Sequence, residues 1–183
     1  MSKPIVATTS LAGCFGCHMS LLDIDEKVLD LFKLVELNKS PLNDIKKFNK
    51  KCDVGIIEGG CANDENVHVL KDFRKNCNTL IALGSCAITG GLPALRNNIK
   101  LKECMEEAYI NNITTKDNNK EEIIPCDKDI PKILDRIYPI NEVVKIDYYI
   151  PGCPPRAKLI WLTLRALITG EEVDIPYEVI KYD

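Results

Sequence analysis

The sequence lacks any apolar run approaching the ~20 residues that a membrane-spanning helix requires. Its opening residues, Met1 through Val6, contain neither the apolar core of a secretory signal nor a twin-arginine pair. Lysine and arginine do not cluster into a basic face, and the formal charge is −3. That excludes an electrostatic case for nucleic acid. Internal repeats and heptads are also missing, which excludes solenoids and coiled coils. The expectation is a cytoplasmic protein with no membrane insertion of its own.

What is present fits one compact α/β domain over residues 1–183. The chain is 45% hydrophobic and 28% charged, ordinary for a globular protein with a real core. Apolar runs alternate with helical patterns, the signature of a mainly parallel sheet with helices on both faces. Strands are expected at residues 5–9, 34–37, 54–57, 79–83 and 148–150. From Leu21, apolar residues Leu21, Ile24, Val28 and Leu31 recur at helical spacing, with Ser20 and Asp23 as a capping box. Val67, Leu70, Phe73 and Cys77 make another helical face. A last helix is expected over 156–169, stopped by Gly170. The polar segment 111–122 reads as a surface loop.

Nine cysteines are many for this length, and an odd number cannot pair completely within one chain. In a reducing compartment, structural disulfides are disfavoured, so metal ligation by a subset explains them better. Cys14 and Cys17 form Cys-Phe-Gly-Cys in a glycine-rich turn after the first strand. Cys86 lies in Gly-Ser-Cys-Ala just past another strand, and Cys153 in Pro-Gly-Cys-Pro-Pro past the last. In an open parallel sheet the carboxyl ends of the strands share one edge, where ligands bind. Four thiolates on that edge can converge. Glycines beside them let the backbone approach a bound group, and Pro154 and Pro155 stiffen the loop presenting Cys153.

Cys-x-x-Cys alone also fits half a zinc knuckle or a redox dithiol. Zinc would want a second close pair, whereas Cys86 and Cys153 are solitary. An iron–sulfur centre accounts for all four better. Of the other cysteines, Cys77 reads as core, and Cys52 and Cys104 as incidental in charged stretches. Cys126 has no evident role, and Cys61 is a bystander or a residue behind the ligands. Two readings stand for Glu58 at a strand end: a proton relay or partner contact, or a local hydrogen-bond acceptor. His18 either bonds toward the cluster or partner, or is a half-exposed polar residue. His68 reads as surface. Arg96 reads as a carboxylate partner at an interface or a plain surface arginine, and Trp161 as core or interface anchor.

Four stretches together resemble the small subunits of nickel–iron hydrogenases: Cys14-Phe-Gly-Cys-His-Met-Ser-Leu-Leu-Asp-Ile-Asp-Glu26, Glu58-Gly-Gly60, Gly84-Ser-Cys-Ala-Ile-Thr-Gly-Gly91 and Pro151-Gly-Cys-Pro-Pro155. Ala62-Asn-Asp-Glu-Asn66 and Gly91-Leu-Pro-Ala-Leu-Arg-Asn97 look like the short, bidirectional NAD-linked type. The resemblance runs from residue 5 to about 170. It implies a flavodoxin-like domain in which Cys14, Cys17, Cys86 and Cys153 hold one [4Fe–4S] cluster at the carboxyl edge. It also implies a separate large subunit with the NiFe centre, and diaphorase subunits carrying further iron–sulfur clusters and FMN, which reduce NAD. Hydrogen cleavage would occur in the partner, and this chain would pass electrons. The domain also resembles the cluster-bearing subunit of respiratory complex I. In that relative the first two cysteines are adjacent, whereas Phe15 and Gly16 separate them here. The chain ends soon after Cys153, so one cluster is expected. Two alternatives stay open: a bifurcating hydrogenase using NAD and ferredoxin, and an FMN-binding electron carrier.

Overall fold

A computed structural model describes residues 3–114, 124–172 and 174–180. Five strands form a parallel sheet: β1 (Ile5–Ser10), β2 (Glu36–Leu37), β3 (Cys52–Glu58), β5 (Cys77–Leu83) and β7 (Tyr148–Ile150). Their order is β2-β1-β3-β5-β7. The order reverses at β1, whose neighbours are β2 and β3, so the switch point of this flavodoxin-like sheet lies between β1 and β3. The register is in step across the carboxyl edge. Ser10 pairs with Glu58, Glu58 with Leu83, and Leu83 with Ile150. Four strands thus release their chains into loops from one row.

Side chains alternate across the sheet and build a core on each face. Val6, Val54, Ile56, Ile81, Leu83 and Ile150 pack on one face, under α1 (Gly16–Leu22), α2 (Lys27–Leu34) and α6 (Ala157–Thr169). Ala7, Ile57, Leu80 and Ala82 pack on the other, under α3 (Asp64–Asn76) and α4 (Ser85–Thr89). Gly55 keeps this second face close: a Cβ there would lie 2.6 Å from Leu80 Cδ2 and 2.8 Å from Cys77 Sγ.

The helix expected from Ser20 onward differs. There are two helices, separated at Asp25, whose φ of 57° is left-handed. Ser20 is inside α1 and caps nothing. Leu21, Ile24 and Leu31 are nevertheless all buried, because both helices lie on the same sheet face. The face of α3 is as expected except that Cys77 begins β5. Asn63 caps α3 by accepting the Asn66 N–H at 2.8 Å, with Asp64 and Glu65 in its first turn and Arg74 and Lys75 in its last. Gly170 ends α6 at φ 73°.

The sequence patterns did not announce several elements. β4 (Cys61–Asn63) and β6 (Ile133–Tyr138) form a separate antiparallel pair. Two 3-10 segments (Pro93–Asn98 and Ile140–Glu142), α5 (Leu101–Tyr109) and α7 (Tyr177–Ile180) complete the described elements. Of the expected polar loop, residues 111–114 are exposed and 115–122 lie outside the described residues. Among the described residues no helix is long and apolar enough to cross a membrane.

Candidate metal centre

The row formed by Ser10, Glu58, Leu83 and Ile150 feeds three cysteine-bearing loops. After β1, Ala12 bridges to Gly60 and the chain turns at Phe15, which takes a left-handed φ of 65°. This turn presents Cys14 to solvent and sets half-buried Cys17 in the first turn of α1. After β5, Gly84 turns the chain into α4, which carries Cys86. After β7, Gly152 leads to exposed Cys153.

Glycine contacts show how tightly these loops meet. A Cβ on Gly84 would lie 2.3 Å from Cys17 Sγ and 3.4 Å from the Gly152 carbonyl oxygen. A Cβ on Gly91 would lie 2.9 Å from Cys86 Sγ, and one on Gly16 would lie 3.1 Å from Cys14 Sγ. Backbone bonds sew the loops together: Gly84 N–H donates to Ile150 O, and Ser85 N–H to Gly152 O, both at 2.8 Å. The missing side chains make a cradle in which three of the four sulfurs press against bare backbone.

The thiols also feel each other electrostatically. Burial pushes Cys17 up to about 12, and Glu58, Cys86, Cys14 and Cys153 add to the rise. Burial likewise raises Cys86, with Cys153, Cys14 and Glu58 contributing. Four thiolates here would need a strongly positive group to balance them. Among the described residues no three His, Cys, Asp or Glu side chains are close enough to hold a single metal ion. Zinc and iron–sulfur centres both take thiolate ligands of this kind.

Behind the thiols lies a buried polar cluster. Glu58 is 2% exposed and His18 is fully buried, which removes the half-exposed reading of His18. Glu58 accepts from Ser10 Oγ at 2.9 Å and from the His18 backbone N–H at 2.7 Å. His18 Nδ1 lies 2.8 Å from the same carboxylate. That approach has the length of a hydrogen bond without its alignment and is an electrostatic contact. Burial pushes the Glu58 carboxyl up, but the His18 and Ser10 contacts outweigh it and hold it below its ordinary value. His18 stacks on Phe15 at 4.7 Å between ring centroids. Its Nε2 is buried without a partner among the described residues.

Other candidates fall elsewhere. Arg96 donates to the carbonyls of Leu134 and Asp135 rather than to a carboxylate, pinning the Pro93–Asn98 segment to β6. Cys52 is not incidental: it is buried in register opposite Cys77. Cys61 is fully buried in the core on the α3 and α4 face. Cys104 is half-buried in α5, while Cys126 and His68 are exposed. Trp161 packs partly buried against the core. Sequence reasoning missed Ser10, Ser20 and Ser85 as site residues. Their hydroxyls donate to Glu58, to Pro155 O and to Gly152 O respectively, partners that no local pattern marks.

Fold and site together define a flavodoxin-like domain with four thiols along one rim. Residues 14–167 match the family described as the NADH ubiquinone oxidoreductase 20 Kd subunit. The NAD-reducing hydrogenase HoxS subunit delta of Cupriavidus necator is 46% identical over 178 residues, covering 97% of this chain and 85% of that one. A subunit of the F420-non-reducing hydrogenase of Methanothermobacter thermautotrophicus is 41% identical over 93% of this chain, which spans only 55% of that relative. A chain of the NAD+-reducing [NiFe]-hydrogenase, determined in the H2-reduced state, superposes with a TM-score of 0.94 at 43% identity, covering all of both chains. The [NiFeSe]-hydrogenase of Dm. baculatum shares the fold, with a TM-score of 0.58 at 14% identity. The chain belongs to the 20 Kd subunit family, on the hydrogenase branch that HoxS subunit delta represents.

Proposed function

We propose that this chain is the electron-transferring small subunit of an NAD-reducing [NiFe] hydrogenase, and that Cys14, Cys17, Cys86 and Cys153 hold its single [4Fe–4S] cluster. The observation that carries this is the rim: four thiols from three strand exits, three of them pressed on glycines that leave no room for a side chain beside the sulfur. The kinship with HoxS subunit delta supports the NAD-linked setting.

When bound, the cluster supplies one-electron transfer, with a potential set by its ligands, hydrogen bonds and burial. The chain's residues do the holding. Gly84 and Gly91 admit the sulfurs, and the bonds among the Gly84, Ser85 and Gly152 loops fix their spacing. Glu58 holds rather than relays. Donors from β1 and α1 converge on its carboxylate and keep it ionised, whereas a relay works best near the operating pH. The NiFe centre would reside in a large subunit, and FMN and further clusters in diaphorase subunits that reduce NAD. The chain would act as one domain over residues 1–183, in the cytoplasm, where the thiols stay reduced.

Anaerobic purification with iron, sulfide and EPR analysis tests the reading. About four iron and four sulfide per chain, with a fast-relaxing signal on reduction, is the expected result. Stoichiometric zinc in a colourless protein, or flavin absorbance without acid-labile sulfide, overturns it.

A further inference from the structure

We propose that Ser20 is a positioning residue that sets Cys153 against Cys17, an inference that rests on the reading that both thiols hold one cluster. Ser20 lies one turn after Cys17 in α1 and is 6% exposed. Its hydroxyl donates to the carbonyl of Pro155 at 2.5 Å, joining residues 135 positions apart in sequence.

The Cys153 loop has little means of holding itself. Pro154 and Pro155 have no N–H to donate, so the loop is anchored through its carbonyls. Two of these are gripped, one on each side of the cysteine. Gly152 O accepts both the N–H of Ser85 at 2.8 Å and its hydroxyl at 3.0 Å. Pro155 O accepts the Ser20 hydroxyl. Gly152 and Pro155 are buried, while Cys153 and Pro154 between them are exposed. The thiol is therefore slung between two buried anchors. One belongs to the Cys86 loop and the other to the helix that carries Cys17. Ser20 thus couples the first ligand pair to the last ligand.

The two anchors differ in redundancy. Losing the Ser85 hydroxyl leaves the Ser85 N–H on Gly152 O. Losing the Ser20 hydroxyl leaves Pro155 O with no other donor among the described residues. The alanine variant at Ser20 should therefore loosen the site more than the one at Ser85.

The test uses the full chain co-purified anaerobically with its partners, as wild type, Ser20→Ala, Ser20→Thr and Ser85→Ala. Iron and sulfide content, iron release to a chelator, reduction potential and EPR line shape are measured on each. Ser20→Ala should release iron roughly five- to tenfold faster than wild type, the worth of one buried hydrogen bond, with altered line shape and potential. Ser85→Ala should release it less fast than Ser20→Ala, and Ser20→Thr, which keeps the hydroxyl, should match wild type. Wild-type release, line shape and potential in Ser20→Ala overturn the proposal. So does release from Ser20→Thr as fast as from Ser20→Ala or, where the alanine variant does not fold, more than a few-fold above wild type. A wild-type chain without iron and sulfide would instead refute the cluster reading itself.

Discussion

Gly84→Ala tests the rim at its tightest point. Gly84 has φ 85° and ψ 163°, a region essentially reserved for glycine, where another residue costs about 1–3 kcal/mol. The contact is worse than the strain. The new methyl would sit 2.3 Å from Cys17 Sγ, whereas non-bonded heavy atoms settle at about 3.5–4.0 Å. The sulfur would have to retreat by more than about 1 Å. Backing away as a loop is resisted, because Gly84 N–H is bonded to Ile150 O at 2.8 Å. Cys17 therefore has to swing out of line with the other three thiols. Gly170→Ala is the matched control: its φ is 73°, and nothing lies within 4 Å of its new methyl. An L-residue in the left-handed region costs roughly 1–2 kcal/mol, so the variant should lose about 2–8 °C in unfolding midpoint at this chain length, with full iron and sulfide. Gly84→Ala should lose more than half of both. Wild-type iron in Gly84→Ala, or equal iron loss in the two variants, would refute the reasoning.

Three further outcomes follow from the same contacts. Cys17→Ser should abolish electron transfer to NAD while leaving part of the partner's nickel in place, checked by activity and metal analysis; wild-type NAD reduction would contradict the ligand assignment. Glu58→Gln, which can still accept from His18 N–H, should cost about 1–2 kcal/mol and keep the cluster, whereas Glu58→Ala leaves a buried N–H unpaired and should cost about 3 kcal/mol; slow electron transfer in a Glu58→Gln protein with an intact cluster would restore the relay role. Burial pushes Asp147 up, but Arg74 at 2.7 Å and the Leu80 N–H hold it below its ordinary value. Its stabilisation is therefore complete above the unfolded pKa of about 3.9 and is lost as pH falls through the lower folded value. Urea unfolding should show Asp147→Asn weaker than wild type by about 1–2 kcal/mol at pH 7, with the gap closing in acid; a gap that does not vary with pH would count against the Arg74 pair.

The legible parts of this molecule are those where residue type alone carries the message. Strands buried on both faces need nearly continuous apolar runs, so β3 and β5 stand out, and the cysteines just past the strand exits stand out by residue type. Periodicity was a poorer guide to continuity. Leu21, Ile24 and Leu31 keep helical phase although Asp25 breaks the helix, because two helices on one face can share a stripe. β4 is too short to alternate, and its pairing with β6 joins distant segments. The polar supports were hidden for a different reason. Ser20 stands before an apolar run and looks like a cap, yet its partner is the carbonyl of Pro155. A carbonyl is common to every residue, so nothing in the sequence can mark which one a hydroxyl will meet. Glu58 is a partial exception: a carboxylate at the end of a buried strand must find donors, and that need was readable. Its donors, Ser10 and the His18 backbone, were not. A four-thiol rim is therefore announced by its sulfurs, while the spacing that makes them useful depends on backbone contacts that only the folded chain brings together.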